Sequence, residues 1–335
     1  MNTLHASPFS LRRRALLALV AAAPAASLPW RSAVAQEPSS TRPVRFVVPF
    51  GPGSGTDTSA RYFARMFTEL TGRTVMVENR TGGNGFIAVQ QVLAAAPDGH
   101  TIFIGSNSTL AVNAALFRKL PYDPAGDLAP LSMIMRAPAV LVVPPTSPYR
   151  DVRSLSAAAR AAPGRLNYAA GSAGYQLMAE LYNDAAQIQT AHVPYKSAAE
   201  ALTAVASGQV DFSFTDITAA LPLIQGGKVR ALAVAAEGRS ATLPDLPTLP
   251  EAGLPGVIAS VWVAAAVHAH TPPAEADRLS ALFAQIEQMP QTRDFYARLG
   301  AETMRGGAAE MRSFQQEDIA RWKRIATKAK VELQD

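Results

Sequence analysis

The chain has 335 residues, 48% of them apolar, with no cysteine and a formal charge of +5, so it can bury one large or two medium cores and excludes disulfide, thiolate and cysteine-metal chemistry. Four arginines (Arg12, Arg13, Arg14 and Arg31) lie among residues 1–35 with no acidic residue, and setting that segment aside lowers the charge to +1. A nearly neutral remainder has no strong electrostatic reason to bind nucleic acid or an anionic membrane, and no basic run interleaved with aromatics occurs.

In chain order, residues 1–35 read first as an export signal: three arginines, an apolar stretch at 15–26, then Ala33-Val34-Ala35 at positions a signal peptidase reads. The mature chain is expected to begin at Gln36. The arginines fit the general secretory route and, loosely, a twin-arginine leader. A membrane anchor is disfavoured because the stretch is short and carries Pro24 and Pro29.

Beyond the leader, β-branched apolar runs alternate with amphipathic, alanine-rich segments, the pattern of an α/β fold. Strands are expected at 44–48, 74–78, 101–105, 140–143, 166–169, 190–193, 210–214, 229–235 and 261–267. Helices are expected at 58–70, 86–95, 154–162, 175–186, 198–207, 219–225, 273–288, 291–299 and 308–328. Gly72, Gly208 and Gly226-Gly227 stand where helices should end, and Asp98-Gly99 marks a turn. Proline-rich stretches at 138–148 and 244–255 are natural seams. A chain that leaves one α/β unit near Ala137 and returns near Ser260 would form two lobes joined by two crossings, a hinged trap; one doubly wound domain with insertions is the other arrangement the length allows.

Three strand ends release into turns rich in Gly, Ser and Asn: 50–57, 105–109 and 170–175. In open parallel sheets ligands bind outside the carboxyl ends of the strands. Backbone N–H groups and the hydroxyls of Ser54, Thr56, Ser106, Ser108, Thr109 and Ser172 supply many donors there and no cationic side chain. Such a surface suits a carboxylate held by charge-assisted hydrogen bonds. Any one of these loops alone reads as a tight turn; three in matching positions point to a pocket. Asp57 would cap the helix after the first loop, or accept a ligand ammonium, hydroxyl or water.

Other signals are weaker. Gly83-Asn84-Gly85-Phe86-Ile87-Ala88 matches Gly-x-Gly-x-x-Ala but lacks the later acidic residue of a dinucleotide site. His268 and His270 would share one face of a strand, with no third metal ligand apparent. No nucleophile elbow and no Walker loop is present, so no enzyme activity, cofactor or metal is expected. Trp262 reads equally as a cleft wall or as core.

The ordered set "RPVRFVVPFGPGSGTD", "VMVENRTGGNG", "APDGHTIFIGSNSTLAVN", "PGRLNYAAGSAG" and "HVPYKSAAEALTAVASGQVDFSFTD" resembles the Bug-type (TctC-like) receptors of tripartite tricarboxylate transporters. The resemblance covers essentially the whole chain after the leader. It implies a type II periplasmic-binding-protein fold: two Rossmann-like α/β lobes, 36–137 plus 261–335 and 138–260, closing over a small organic acid gripped by amides, hydroxyls and water. Carried over by position, Phe50, Gly53, Ser54, Gly55, Thr56 and Asp57 fall on the ligand-facing turn, with Ser54 where the family has glycine. Ser106, Asn107 and Ser108 fall on the second loop. Gly171, Ser172, Ala173 and Gly174 fall on the third, which is about two residues shorter and has Tyr175-Gln176 in place of Ser/Thr-His. Tyr195 and Lys196 match "HVPYK", and Asp216 matches a frequent cleft-edge aspartate. The implied protein is a periplasmic monomer serving transporter subunits; the alternative is a ligand sensor docking on a membrane signalling protein.

Overall fold

The computed structural model describes residues 42–335; the expected export signal lies outside them. The first half begins with β1 (Val44–Val48), whose β-branched run is buried except at Arg45. Next come α1 (Gly55–Thr71), β2 (Val75–Asn79), α2 (Phe86–Leu93) and β3 (Thr101–Ser106). A π-helical turn, Ser108–Val112, then runs into α3 (Asn113–Leu116). Helix α1 starts where the Ser54 hydroxyl accepts the Asp57 N–H at 3.2 Å and stops at Gly72, whose left-handed φ of 68° only glycine adopts cheaply. Its inward face carries Phe63, Met66 and Phe67, all buried. Phe67 meets Phe46 of β1 edge-on at 6.0 Å, and Phe63 stacks on Phe283 at 5.5 Å. Each fully buried side chain of this size contributes roughly 1.5–3 kcal/mol.

A sixteen-residue strand, β4 (Leu128–Val143), follows. After it come α4 (Val152–Ala161), β5 (Asn167–Ala170), α5 (Ala173–Ala186), β6 (Ala191–Pro194), α6 (Ala198–Ala206), β7 (Phe212–Asp216), α7 (Ile217–Gln225) and β8 (Arg230–Val234). The chain closes with β9 (Ser260–His268), α8 (Pro273–Gln288), α9 (Pro290–Arg298), the two-residue β10 (Glu302–Thr303) and α10 (Ala308–Lys328).

The strands join in the order β2-β1-β3-β9-β4-β7-β5-β6, with β8 and β10 also on β4. β1 runs parallel to β2 and β3, and β5 parallel to β6 and β7. β4 belongs to both groups: residues 128–138 pair with β9, and 139–143 pair with β7 and β8. Three small residues stitch the junction, with Ala139 N–H donating to Ala259 O (3.0 Å), Ala259 N–H to Ala235 O (2.9 Å) and Ala235 N–H to Ala139 O (2.8 Å). The proline-rich stretch from 138 is therefore part of a continuous strand at its start. Only its second part, 140–143, is legible as a strand. Pro130 and Pro138 mask the rest, and the structure tolerates the irregular stretch through bulges at 130–132 and 133–135.

The C-terminal helix is pinned to this junction. Asp318 of α10 accepts the indole N–H groups of Trp262 (2.8 Å) and Trp322 (3.1 Å), and Arg321 donates to Ile258 O at 2.7 Å. Trp262 is thus a core residue, 1% exposed.

Candidate functional site

The three donor-rich turns leave the carboxyl ends of β1, β3 and β5. In the first, Gly53 takes φ 81°, and its N–H donates to Asp57 Oδ2 at 3.0 Å. Asp57 is buried (3% exposed). Its carboxylate also accepts Arg61 Nε at 3.0 Å and Asn79 Nδ2 at 2.8 Å, with Arg61 Nη2 3.0 Å from Oδ1. Asn79 in turn donates to Phe50 O at 2.8 Å. Asp57 therefore braces its own loop. Helical geometry leaves the N–H groups of Gly55 and Thr56, at the first turn of α1, without intrahelical acceptors.

The second turn is shorter than expected, because the helical path begins at Ser108. Ser106 Oγ accepts the Ser108 N–H at 3.2 Å, and Thr109 Oγ1 donates to Ser106 O at 3.1 Å. Asn107 is fully buried, and neither polar atom of its side chain has a partner among the described residues. In the third turn Gly171 has no room for a side chain, since a β-carbon there would lie 2.2 Å from the Ser197 carbonyl carbon. Ser172 then stands at the N-cap position of α5, which starts at Ala173, its side chain making no capping bond.

These turns meet face to face. Ser108 Oγ donates to Ser172 Oγ at 3.0 Å and accepts the Gly174 N–H at 3.1 Å. Gly174 is obligatory there, because a β-carbon would stand 2.7 Å from Ser108 Oγ and 3.2 Å from Asn107 Nδ2. The first turn meets the start of α7 in the same way: a β-carbon on Gly55 would lie 2.6 Å from Thr218 Oγ1 and 2.7 Å from Asp216 Oδ1. Asp216 is wholly buried. Its oxygens accept the Thr218 hydroxyl, the Ala219 N–H at 3.0 Å and the Tyr175 hydroxyl at 2.5 Å. Burial, and then the charge of Asp216, hold the Tyr175 hydroxyl well above its ordinary pKa, so it remains a donor.

Tyr195 and Lys196 follow β6 and line a cavity of about 340 Å³ with Phe50, Asn84, Gly171 and Glu200. Of the expected site residues, Phe50, Gly171 and Tyr195 reach this cavity. Gly55, Asn107, Ser108, Ser172, Gly174 and Asp216 gather at the contact between turns. Ser54, Thr56, Ser106 and Ala173 are buried in the turns themselves. Sequence reasoning missed Thr218, Asn79 and Ser197. Thr218, two residues after an aspartate at a helix start, carried a readable signal; the other two take part only through tertiary contact.

The weaker motifs find structural explanations. Gly83–Gly85 is a 3₁₀ turn with Asn84 at φ 50°, and Gly85 is required because a β-carbon would lie 2.4 Å from Thr109 Cγ2. His268 Nδ1 accepts the His270 N–H at 3.0 Å. Among the described residues no group of three or more His, Cys, Asp or Glu side chains could hold a metal. No helix there is long and apolar enough to cross a membrane.

Comparison with known proteins bears directly on this arrangement. A family model described as tripartite tricarboxylate transporter family receptor matches residues 59–331. A protein from the tcbD-tcbE intergenic region of Pseudomonas sp. strain P51 is 33% identical over 319 residues, covering 94% of each chain. Protein BugT of Bordetella pertussis is 32% identical, covering 84% of this chain and 87% of BugT. Among solved structures, an R. palustris protein with adipate is 32% identical with a TM-score of 0.85, covering 88% of this chain and 99% of the other. MatC from Rhodopseudomonas palustris with bound malate is 31% identical with a TM-score of 0.81, covering 85% and 99%. The periplasmic binding protein BugD is 28% identical with a TM-score of 0.83, covering 88% and 99%. These likenesses span both groups of strands joined by β4, and they make the chain a two-lobed α/β solute-binding protein of the periplasmic class, not an enzyme: it belongs to the tripartite tricarboxylate transporter receptor (TctC/Bug) family.

Proposed function

We propose that this protein captures a small organic carboxylate between two lobes, 36–137 plus 261–335 and 138–260, and delivers it as a monomer to the membrane subunits of a tripartite transporter. Residues 1–35 act as a cleaved export signal in this reading, by the general secretory or twin-arginine route. One observation carries it: donor-rich turns at the carboxyl ends of β1, β3 and β5 converge, with Ser108 bonded to Ser172 and Gly174, and Gly55 against Asp216. Main-chain N–H groups and hydroxyls serve the acid's oxygens, at charge-assisted bonds about twice as strong as neutral ones. Phe50, Gly171 and Tyr195 wall the adjoining cavity. The adipate and malate in two related structures are carboxylates of this kind. Ligand shifts the lobes toward closure only by as much as it prefers the closed form.

Native mass spectrometry of gently purified protein tests this reading, with a thermal-shift screen over dicarboxylates, amino acids and aromatic acids beside it. A co-purified acid, or a rise in melting temperature with one acid class, is the expected result. Retention of a ligand without an acidic group would overturn it.

A further inference from the structure

Helix α10 ends at Lys328, and the chain then reverses through Lys330, which takes a left-handed φ of 50°. Glycine is the usual occupant of such a turn, and a lysine holds it only where its surroundings fix the path. The Lys330 and Val331 N–H groups close the turn on Thr327 O at 3.2 Å and Ala326 O at 3.0 Å. The reversal lays the last residues along the end of α3. There the Gln334 N–H donates to Leu116 O at 2.9 Å and the Arg118 N–H donates to Gln334 O at 2.9 Å, a parallel bridge between Phe117 and Gln334. The Gln334 side chain reaches a different helix: its Nε2 donates to Oε1 of the buried Gln176, on α5, at 3.1 Å. One residue thus holds α3 by its backbone and α5 by its side chain. Lys328 Nζ also lies 3.8 Å from Asp184 Oδ2 of α5, but that lysine is exposed and the pair adds little.

The two helices so joined issue from different groups of strands. α3 continues the π-helical turn that begins at Ser108, after β3. α5 follows β5, and the Gln176 N–H donates to Ser172 O at 3.1 Å, in the first turn of that helix. The tail is therefore a non-covalent tie between the lobes, added to the covalent crossings through β4 and Ala259. A hydrogen bond between two neutral amides has a modest net worth, because water replaces each partner when it breaks. Such a bond suits a contact that yields and re-forms. The lobes also adjoin at the first donor-rich turn, where a β-carbon on Gly53 would lie 3.7 Å from Ala199 Cβ, so the starts of α1 and α6 report on their separation.

We propose that residues 331–335 form a latch between the lobes: Gln334 fastens α5 to α3, this bond breaks when the lobes part, and the tail thereby sets how often the ligand-free protein opens. The inference goes beyond the acid-capture reading and does not depend on which molecule binds. Gln334 and Gln176 are positioning residues, placed outside the expected ligand contacts.

Pulsed electron paramagnetic resonance on the ligand-free protein tests this. The chain has no cysteine, so spin labels attach only at Glu69→Cys on α1 and Thr203→Cys on α6, both exposed positions. Into this labelled protein are introduced Gln334→Ala, which keeps the backbone bonds to α3 and cuts only the arm to α5, and separately Gln176→Ala, which cuts the same bond from the other side. Each should raise the long-distance population over the short one by about fivefold, the weight of one hydrogen bond. Removal of residues 331–335 should raise it at least as much. A tail that merely packs on its own lobe would lower the melting temperature on removal and leave the distances in Gln334→Ala unchanged, and that result overturns the inference. A shift in Gln176→Ala without one in Gln334→Ala also overturns it, since the bond between them is then not what holds the lobes. Should the shortened chain not fold, the two single substitutions still decide.

Discussion

Asp57 shows how a residue type can be read correctly and its partners missed. A carboxylate at the head of a helix was legible from the sequence; that Asn79, Arg61 and Gly53 would occupy it was not, because Asn79 arrives from another strand. Asp57→Ala should accordingly act on stability first. It releases a half-buried asparagine donor and a partly exposed arginine, whose contribution solvent screens, so a loss of about 1–3 kcal/mol is expected, checked by denaturant unfolding without ligand. Gly55→Ala should behave in the opposite way. Its backbone is helical and suits alanine, which favours a helix by up to about 1 kcal/mol over glycine, but the new methyl would meet Thr218 and Asp216 at 2.6 and 2.7 Å. Ligand affinity measured by calorimetry should drop about tenfold or more, while the melting temperature without ligand falls by less than for Asp57→Ala. Asn107 was readable as a loop residue, but its complete burial with an unpartnered side chain is a tertiary fact.

Among the elements, those with a strong period were legible nearly to their ends. α8 and α10 fall on the expected 273–288 and 308–328, and β1 on 44–48, because each has an uninterrupted apolar pattern bounded by turn residues. The first part of β4 was not, since prolines and methionines carry no period-two signal and its pairing is set by β9. The same strand creates a pH-sensitive contact with α8. Glu287 is buried beside the Ser132 hydroxyl, and burial pushes its carboxyl up to about 8, with the Ser132 bond pulling the other way. A carboxyl whose folded pKa exceeds its unfolded value stabilises the fold fully below the unfolded pKa, and loses that contribution as pH rises through the folded one. Stability should therefore decline from about pH 4.5 to about pH 8 at this site. Glu287→Gln should remove that decline and be more stable than wild type above pH 8, as read from thermal melts across pH 5 to 9. Melts of the two proteins that stay parallel over the whole range would contradict it.

At the scale of the whole molecule, one strand and one short return segment connect the two groups of strands, through the Ala139, Ala235 and Ala259 bonds. The alternation of strands and helices made the α/β class legible, and proline-rich seams suggested two crossings. That β4 itself would be one crossing could not be read, because a strand shared by two sheets looks locally like any other. Ser108 bonds to Ser172 and to the Gly174 N–H, so Ser108→Ala should weaken ligand binding by removing an acceptor for the α5 N–H and a donor to Ser172. A several-fold rise in Kd is expected, in line with the loss of one or two hydrogen bonds of about 1 kcal/mol each. The central claim is that strand-end N–H groups and hydroxyls, brought together by two lobes, hold an acid without a fixed cationic side chain. A crystal structure of the protein with its co-purified ligand tests this most directly: the account predicts an acidic group on the amides of the Gly55 and Gly174 turns, and a ligand bound elsewhere, or one whose acid is held by an arginine or lysine instead, would contradict it.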